Sequence, residues 1–200
     1  GKSLLPLPDK HAGLQDEDTV LRKRYLDALT NPETFNRFKL RSEIISGIRK
    51  FFNERNFMEV ETPILQNQAG GAMAETFKTH HNDLDMDMVL RISLELEHKI
   101  MMAAGYPRIY EIGKNFRNEG SDPTHIQEFT MMEWYAAFET LEQNMAWTEE
   151  LLKHLARDIV GKTQFTITHG DETQTIIDLD TSWERVQFSE LLLKHASIDM

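Results

Sequence analysis

The stretch Arg117-Asn118-Glu119-Gly120, followed by Glu128-Phe129-Thr130-Met131-Met132-Glu133-Trp134-Tyr135, constrains this chain most. Residues 109–116 read as one strand and 128–138 as the next. The loop between them carries Arg117, Glu119, Asp122 and His125. Side chains alternate faces along a strand. Phe129, Met131, Glu133 and Tyr135 therefore share one face of the second strand, and Glu111, Gly113, Asn115 and Arg117 one face of the first. One sheet face thus offers a guanidinium, an aromatic plate, a carboxylate and a phenol, the groups that a phosphate, a base ring and a small cation require. Polar residues on an inward strand face are unexpected unless they are paired or functional.

The rest of the chain supplies a frame for this hairpin. Residues 3–15 are rich in Pro, Lys and Asp and read as linker. Residues 16–29 have helical spacing at Val20, Leu21, Tyr25, Leu26 and Leu29. Asn31-Pro32-Glu33 combines a cap, a proline at the first helical position and an acid, so a helix starts there. It is expected to run to about Arg55, with Phe38, Ile44, Ile45, Ile48, Phe51 and Phe52 inward. A strand follows over 57–62, then a Gly/Ala loop over 66–76, strands near 77–81 and 88–92, and a short helix over 94–104. After the hairpin, Thr140-Leu141-Glu142-Gln143 is a capping box opening a helix that Gly161 stops. A small hairpin over 163–168 and 174–178 and a last helix near Ser189 complete the reading. This order lacks the strand–helix alternation of a doubly wound parallel sheet, so an α+β fold on an antiparallel sheet is expected.

With 200 residues, the chain is long enough for one domain with a substantial core. No apolar run is long enough to span a bilayer, and Gly1-Lys2-Ser3-Leu4-Leu5-Pro6 lacks the apolar stretch of a secretory signal. With no cysteine, disulfides and thiolate metal sites are excluded. The net charge of −11 makes non-specific nucleic-acid binding poor; a nucleic-acid partner would need a localised basic patch or another domain.

Three features are read as non-functional. Gly1-Lys2-Ser3 is like the end of a phosphate loop, without the preceding glycine and strand. Asp83-Leu84-Asp85-Met86-Asp87 is like a calcium loop, without its glycine and terminal Glu. His80-His81 has no accompanying zinc-ligand pattern. No metal ligand is assigned.

Tyr110–Gly120 with His125 and 128–135 resembles motif 2 of class II lysyl-tRNA synthetases. Phe57-Met58-Glu59-Val60-Glu61-Thr62-Pro63 resembles motif 1. Gly70-Gly71-Ala72 and Thr79-His80-His81-Asn82 resemble the amino-acid pocket loop and the segment after it. Leu90-Arg91-Ile92-Ser93-Leu94-Glu95-Leu96 resembles the strand-to-helix step bearing an amino-acid-binding Glu. Pro6-Leu7-Pro8-Asp9-Lys10 and Arg22-Lys23-Arg24-Tyr25-Leu26-Asp27 resemble the linker into the catalytic domain. The match runs from about Leu5 to Phe138 and more loosely beyond.

The resemblance implies a class II synthetase antiparallel sheet flanked by helices, incomplete here. Residues 1–30 would be linker and lead-in helix, and 31–200 the N-terminal part of the catalytic domain. It implies a ligase that activates L-lysine with ATP and Mg2+ to lysyl-adenylate and passes lysine to tRNA(Lys), as a cytoplasmic homodimer. Arg117 would be catalytic, bridging ATP and lysine. Glu119, His125 and Phe129 would bind ATP; Gly71, Glu95, Glu133 and Tyr135 would bind lysine with Arg117; Pro63 would lie at the dimer interface.

The chain departs from the family pattern in places. The usual Arg-His-Asn-Pro-Glu of the motif 2 loop is Thr124-His125-Ile126-Gln127-Glu128, Ser93-Leu94 replace Ala-Pro, and Glu97 replaces an aromatic residue. Motif 3, its Gly-x-Gly-x-x-Arg pattern and the acidic segment that holds magnesium are not found in these residues. These residues alone are therefore expected to activate lysine slowly if at all. Two other readings share part of the pattern: the lysyl-tRNA-synthetase-like ligase that modifies elongation factor P, and a non-catalytic synthetase-like dimerisation or binding module.

Overall fold

The computed structural model describes residues 7–9 and 11–199. The Gly1-Lys2-Ser3 reading, and the parts of the linker at residues 3–6 and 10, lie outside them. The chain forms two compact units. One is Arg49–Asn144; the other takes the chain up to Ile48 together with the part from Met145 onward.

The expected single helix over 16–29 is two: α1 (Glu17–Arg22) and α2 (Arg24–Thr30), broken at Lys23, whose φ of −116° and ψ of 50° are not helical. The apolar spacing does not mark an inward face there, since Leu21, Tyr25 and Leu29 are exposed. The buried residue is Asp27, whose carboxylate accepts from Thr34 Oγ1 at 2.5 Å.

Helix α3 (Pro32–Asn53) begins as the sequence dictates, with the Glu33 amide donating to Asn31 Oδ1 at 3.0 Å. Phe51 and Phe52 are buried, but Phe38 is exposed, contrary to expectation. Helical periodicity defines a face, and a face is buried only where another element covers it. Phe52 packs on Phe57, Tyr110 and Trp134, with ring centroids 5.0–5.3 Å apart, and this aromatic group anchors the core of the Arg49–Asn144 unit.

In that unit, β5 (Arg108–Phe116) and β6 (Glu128–Ala136) form a long antiparallel hairpin. The motif 1 segment contributes only β1 (Met58–Glu59), which pairs with β5 in parallel rather than antiparallel fashion. A second antiparallel sheet has the order β2 (Leu65–Gln66), β4 (Met86–Leu90), β3 (Lys78–His81). From β4 the chain passes through residues 91–94 into α4 (Glu95–Ala103).

Helix α5 (Leu141–His154) starts in that unit and continues in the other; it is capped as expected, the Gln143 amide donating to Thr140 Oγ1 at 3.2 Å. Its last turns loosen into a π-helical segment, Leu155–Val160. The residue opposite them is Gly47 of α3, where a Cβ would come within 2.9 Å of Ile159 and 3.0 Å of Leu155. Strands β7 (Gln164–Thr168) and β8 (Gln174–Asp178) form the expected hairpin, and α6 (Phe188–Ala196) follows. The fold is α+β. Among the described residues no helix is long and apolar enough to cross a membrane.

Candidate functional site

The register of the hairpin sets which groups meet. Asn115 lies opposite Phe129, Gly113 opposite Met131, Glu111 opposite Glu133, and Ile109 opposite Tyr135. Directly opposed residues in an antiparallel pair project to the same face. The face read from the sequence is therefore real, but its two ends carry different groups.

At the loop end, Arg117, Glu119, Gly120, Thr124, His125, Ile126 and Phe129 line a cleft of about 220 Å³. All four residues expected to hold ATP are brought together here. The Arg117 guanidinium carbon lies 5.3 Å from the centre of the Phe129 ring, within range of a cation–π attraction. Arg117 Nε donates to the Ile92 carbonyl at 3.3 Å, tying the guanidinium to the segment that leads into α4. Glu119 and His125 are exposed.

The loop is braced from within. Asp122 accepts from the amides of Thr124 and His125, from Thr124 Oγ1 at 2.7 Å, and pairs with His125 Nδ1 at 2.8 Å. Its bonds from Thr124, then from His125, hold its carboxyl well below the ordinary value. Gln127 Nε2 donates to the Glu119 carbonyl at 2.8 Å and to Ser121 Oγ at 2.6 Å. Thr124 and Gln127, both departures from the family pattern, thus stitch the loop to itself.

At the other end, Glu95, Glu133 and Tyr135 form a half-buried acidic group. Glu133 accepts from Ser93 Oγ at 3.5 Å and from the Leu94 amide at 3.4 Å; the Tyr135 hydroxyl donates to its other oxygen at 3.4 Å. Burial, then the charges of Glu133 and Glu95, push the Tyr135 phenol well above its ordinary value. The same negative potential favours an ammonium group. Glu95, at the start of α4, is paired with Lys99 one turn on at 2.5 Å. Gly71 closes the group: its φ is +82°, and a Cβ there would come within 2.9 Å of both Glu95 Cβ and Ser93 Oγ. Pro63 is exposed, outside both groups.

Sequence reasoning missed what lies beneath. Arg91, Glu111 and His98 are buried together. Arg91 Nη1 donates to Glu111 Oε1 at 2.7 Å, and Arg91 also holds the carbonyls of Thr62 and Lys114, each at 2.9 Å. His98 Nε2 donates to Glu111 Oε2 at 3.2 Å, and Thr62 Oγ1 donates to the same oxygen at 2.7 Å. Burial alone would raise the Glu111 carboxyl, but the bonds from His98, Thr62 and Arg91 outweigh it and hold it below its ordinary value. Glu111 on the inward face is thus paired rather than ligand-binding. The available signal was a glycine two residues on: at Gly113 a Cβ would lie 2.2 Å from Arg91 Nη2, so the guanidinium crosses the strand where a side chain is missing. Among the described residues no three His, Asp or Glu side chains converge on one point.

Residues 16–199 match the profile of the family described as tRNA synthetases class II (D, K and N). The chain is 48% identical over 194 residues to the lysine–tRNA ligase of Escherichia coli K12, covering 97% of this chain and 37% of that protein. The lysine–tRNA ligase of Shigella flexneri matches to the same extent. That of Aeromonas salmonicida is 47% identical over 193 residues, covering 96% of this chain and 38% of the relative. The chain therefore spans a little over a third of the length of the curated relatives it matches.

Proposed function

Because this chain belongs to the tRNA synthetases class II (D, K and N), we propose that it is part of a lysine–tRNA ligase, joining lysine to AMP from ATP and passing it to tRNA(Lys). The observation that carries this reading is the division of one sheet face. An aromatic and guanidinium cleft fit for a nucleotide lies at the loop end of the hairpin, and an acidic, half-buried group fit for an amino acid with two ammonium groups lies at the other.

In this reading an oxygen of the lysine carboxylate attacks the α-phosphorus, and the bond to pyrophosphate breaks. No side-chain nucleophile and no proton transfer are required. Holding two anions in line and neutralising the charge that develops supply the rate. Arg117 suits that task. Its planar fork can donate to oxygens of both partners, and its Nε is tethered to Ile92, three residues before Glu95. Phe129 stacks the base, Glu119 meets its amino edge and His125 approaches the phosphates. Glu95 receives the α-ammonium beside Gly71, displacing Lys99 from its carboxylate, and Glu133 with Tyr135 receives the ε-ammonium.

The segment with α1 and α2 then leads into the N-terminal part of a catalytic domain. Pro63 is exposed and available to a homodimer interface. The compartment is the cytoplasm, where tRNA is charged. The test is lysine-dependent exchange of pyrophosphate into ATP by the protein at its full natural length. Exchange that requires lysine is expected, and its absence would reject the enzyme in favour of a binding module. Transfer of the activated lysine to tRNA rather than to elongation factor P separates the two ligases.

A further inference from the structure

His98 has no part in the chemistry above, yet it is fully buried and sits between the ion pair and the acidic group. Its Nε2 donates to Glu111 Oε2, whose other oxygen is held by Arg91. Its ring meets Tyr135 edge to face, with centroids 5.3 Å apart and planes at 90°. Nδ1 has no hydrogen-bond partner among the described residues. An apolar side chain would fill this space without leaving a ring nitrogen unpaired, so the histidine needs another reason. It combines an aromatic edge with a polar tether, and an aliphatic residue has neither.

The phenol needs such support. Its bond to Glu133 is 3.4 Å long, at the weak end of hydrogen bonding, and does not by itself fix where the ring points. Glu111, by contrast, is locked by Arg91, Thr62 and His98. We infer that His98 is a positioning residue: tethered to the buried Arg91–Glu111 pair, its ring holds Tyr135 edge-on and so fixes the depth at which the pocket accepts an alkylammonium group. This rests on the reading of Tyr135 as the residue at the ε-ammonium.

Three variants of the full-length protein separate the parts. His98→Gln keeps a donor for Glu111 and removes the edge. It is expected to raise the lysine KM about three- to tenfold, the scale of one aromatic edge contact, with kcat and the ATP KM within about twofold. Its preference for lysine over ornithine, one methylene shorter, is expected to fall. His98→Phe keeps the edge and loses the tether, and is expected to change the lysine KM less than His98→Gln does. Should His98→Gln fail to fold, His98→Leu takes its place with the same expected rise. A lower melting temperature with unchanged lysine KM and unchanged lysine–ornithine preference would overturn the inference. So would an equal rise in the lysine and ATP KM values. A second readout does not depend on activity: the ring-proton shifts of Tyr135, assigned by their loss in Tyr135→Phe, are expected to move in the folded His98→Gln or His98→Leu variant. Unchanged shifts would overturn the role of His98 even if lysine exchange is present, whereas moved shifts without lysine exchange would reject only the proposed function.

Discussion

Strand β5 carries Glu111 near its middle and leads directly into Arg117, and these two charges live under opposite conditions. Glu111 is out of water, with Arg91, Thr62 and His98 all donating to it. Arg117 is half-buried against Phe129, with its cleft open to solvent and a loop of exposed residues around it. A buried charge must be satisfied by the fold itself, because nothing else will arrive to do so. A charge facing a cleft can be left for a ligand. The comparison separates inward polar residues that hold the sheet together from those that are available for chemistry.

The sharpest way to break that distinction is at Arg91. Arg91→Ala strands Glu111 and is expected to cost about 3–5 kcal/mol of stability, the scale for breaking a buried pair; urea unfolding of the purified protein measures it. A loss below about 1 kcal/mol would mean that Glu111 is not held as described. Arg117→Ala is expected to do the reverse. Stability should be nearly unchanged, while lysine-dependent pyrophosphate exchange falls by about 10²–10³-fold, as when one preorganised charge donor is removed. If exchange survives, the open end is not the nucleotide site. Tyr135→Phe tests the intermediate case of a half-buried group, with the lysine KM rising about tenfold and the ATP KM unchanged. The smallest effect is expected at the loop: Asp122→Ala removes its internal bracing and should raise the ATP KM only about two- to fivefold.

Acid provides a graded version of the same contrast. Glu111 has a folded value below its unfolded 4.5. The stability it contributes is therefore fully present above that pH and is lost as the pH falls through the lowered folded value. Urea midpoints measured from about pH 5 to pH 3 should fall, and should fall less steeply in Glu111→Gln.

Much of this was legible in the sequence because the signals were local. Alternation along β5 and β6 announced the shared face, Asn31-Pro32 the start of α3, and Thr140 with Gln143 the start of α5. The four residues to which the motif resemblance assigns ATP line one cleft. What stayed hidden depends on partners far apart in the chain. Arg91 reaches Glu111 twenty residues on and Thr62 twenty-nine residues back, and no spacing rule links them. The parallel pairing of β1 with β5 is likewise invisible locally, since a two-residue strand has no pattern of its own. Phe38 misled for the opposite reason: its local signal was sound, but burial is decided by what else is nearby.

The bare backbone at Gly113 has a consequence for how this protein can change over generations. A Cβ there would lie 2.2 Å from Arg91 Nη2, so alanine forces the guanidinium to shift while the arginine remains. Arg91 in turn cannot leave while Glu111 is charged. The three positions are therefore inherited together. A route to a different core must first neutralise position 111, then shorten position 91, and only then fill position 113, and lineages that attempt another order pass through a destabilised form.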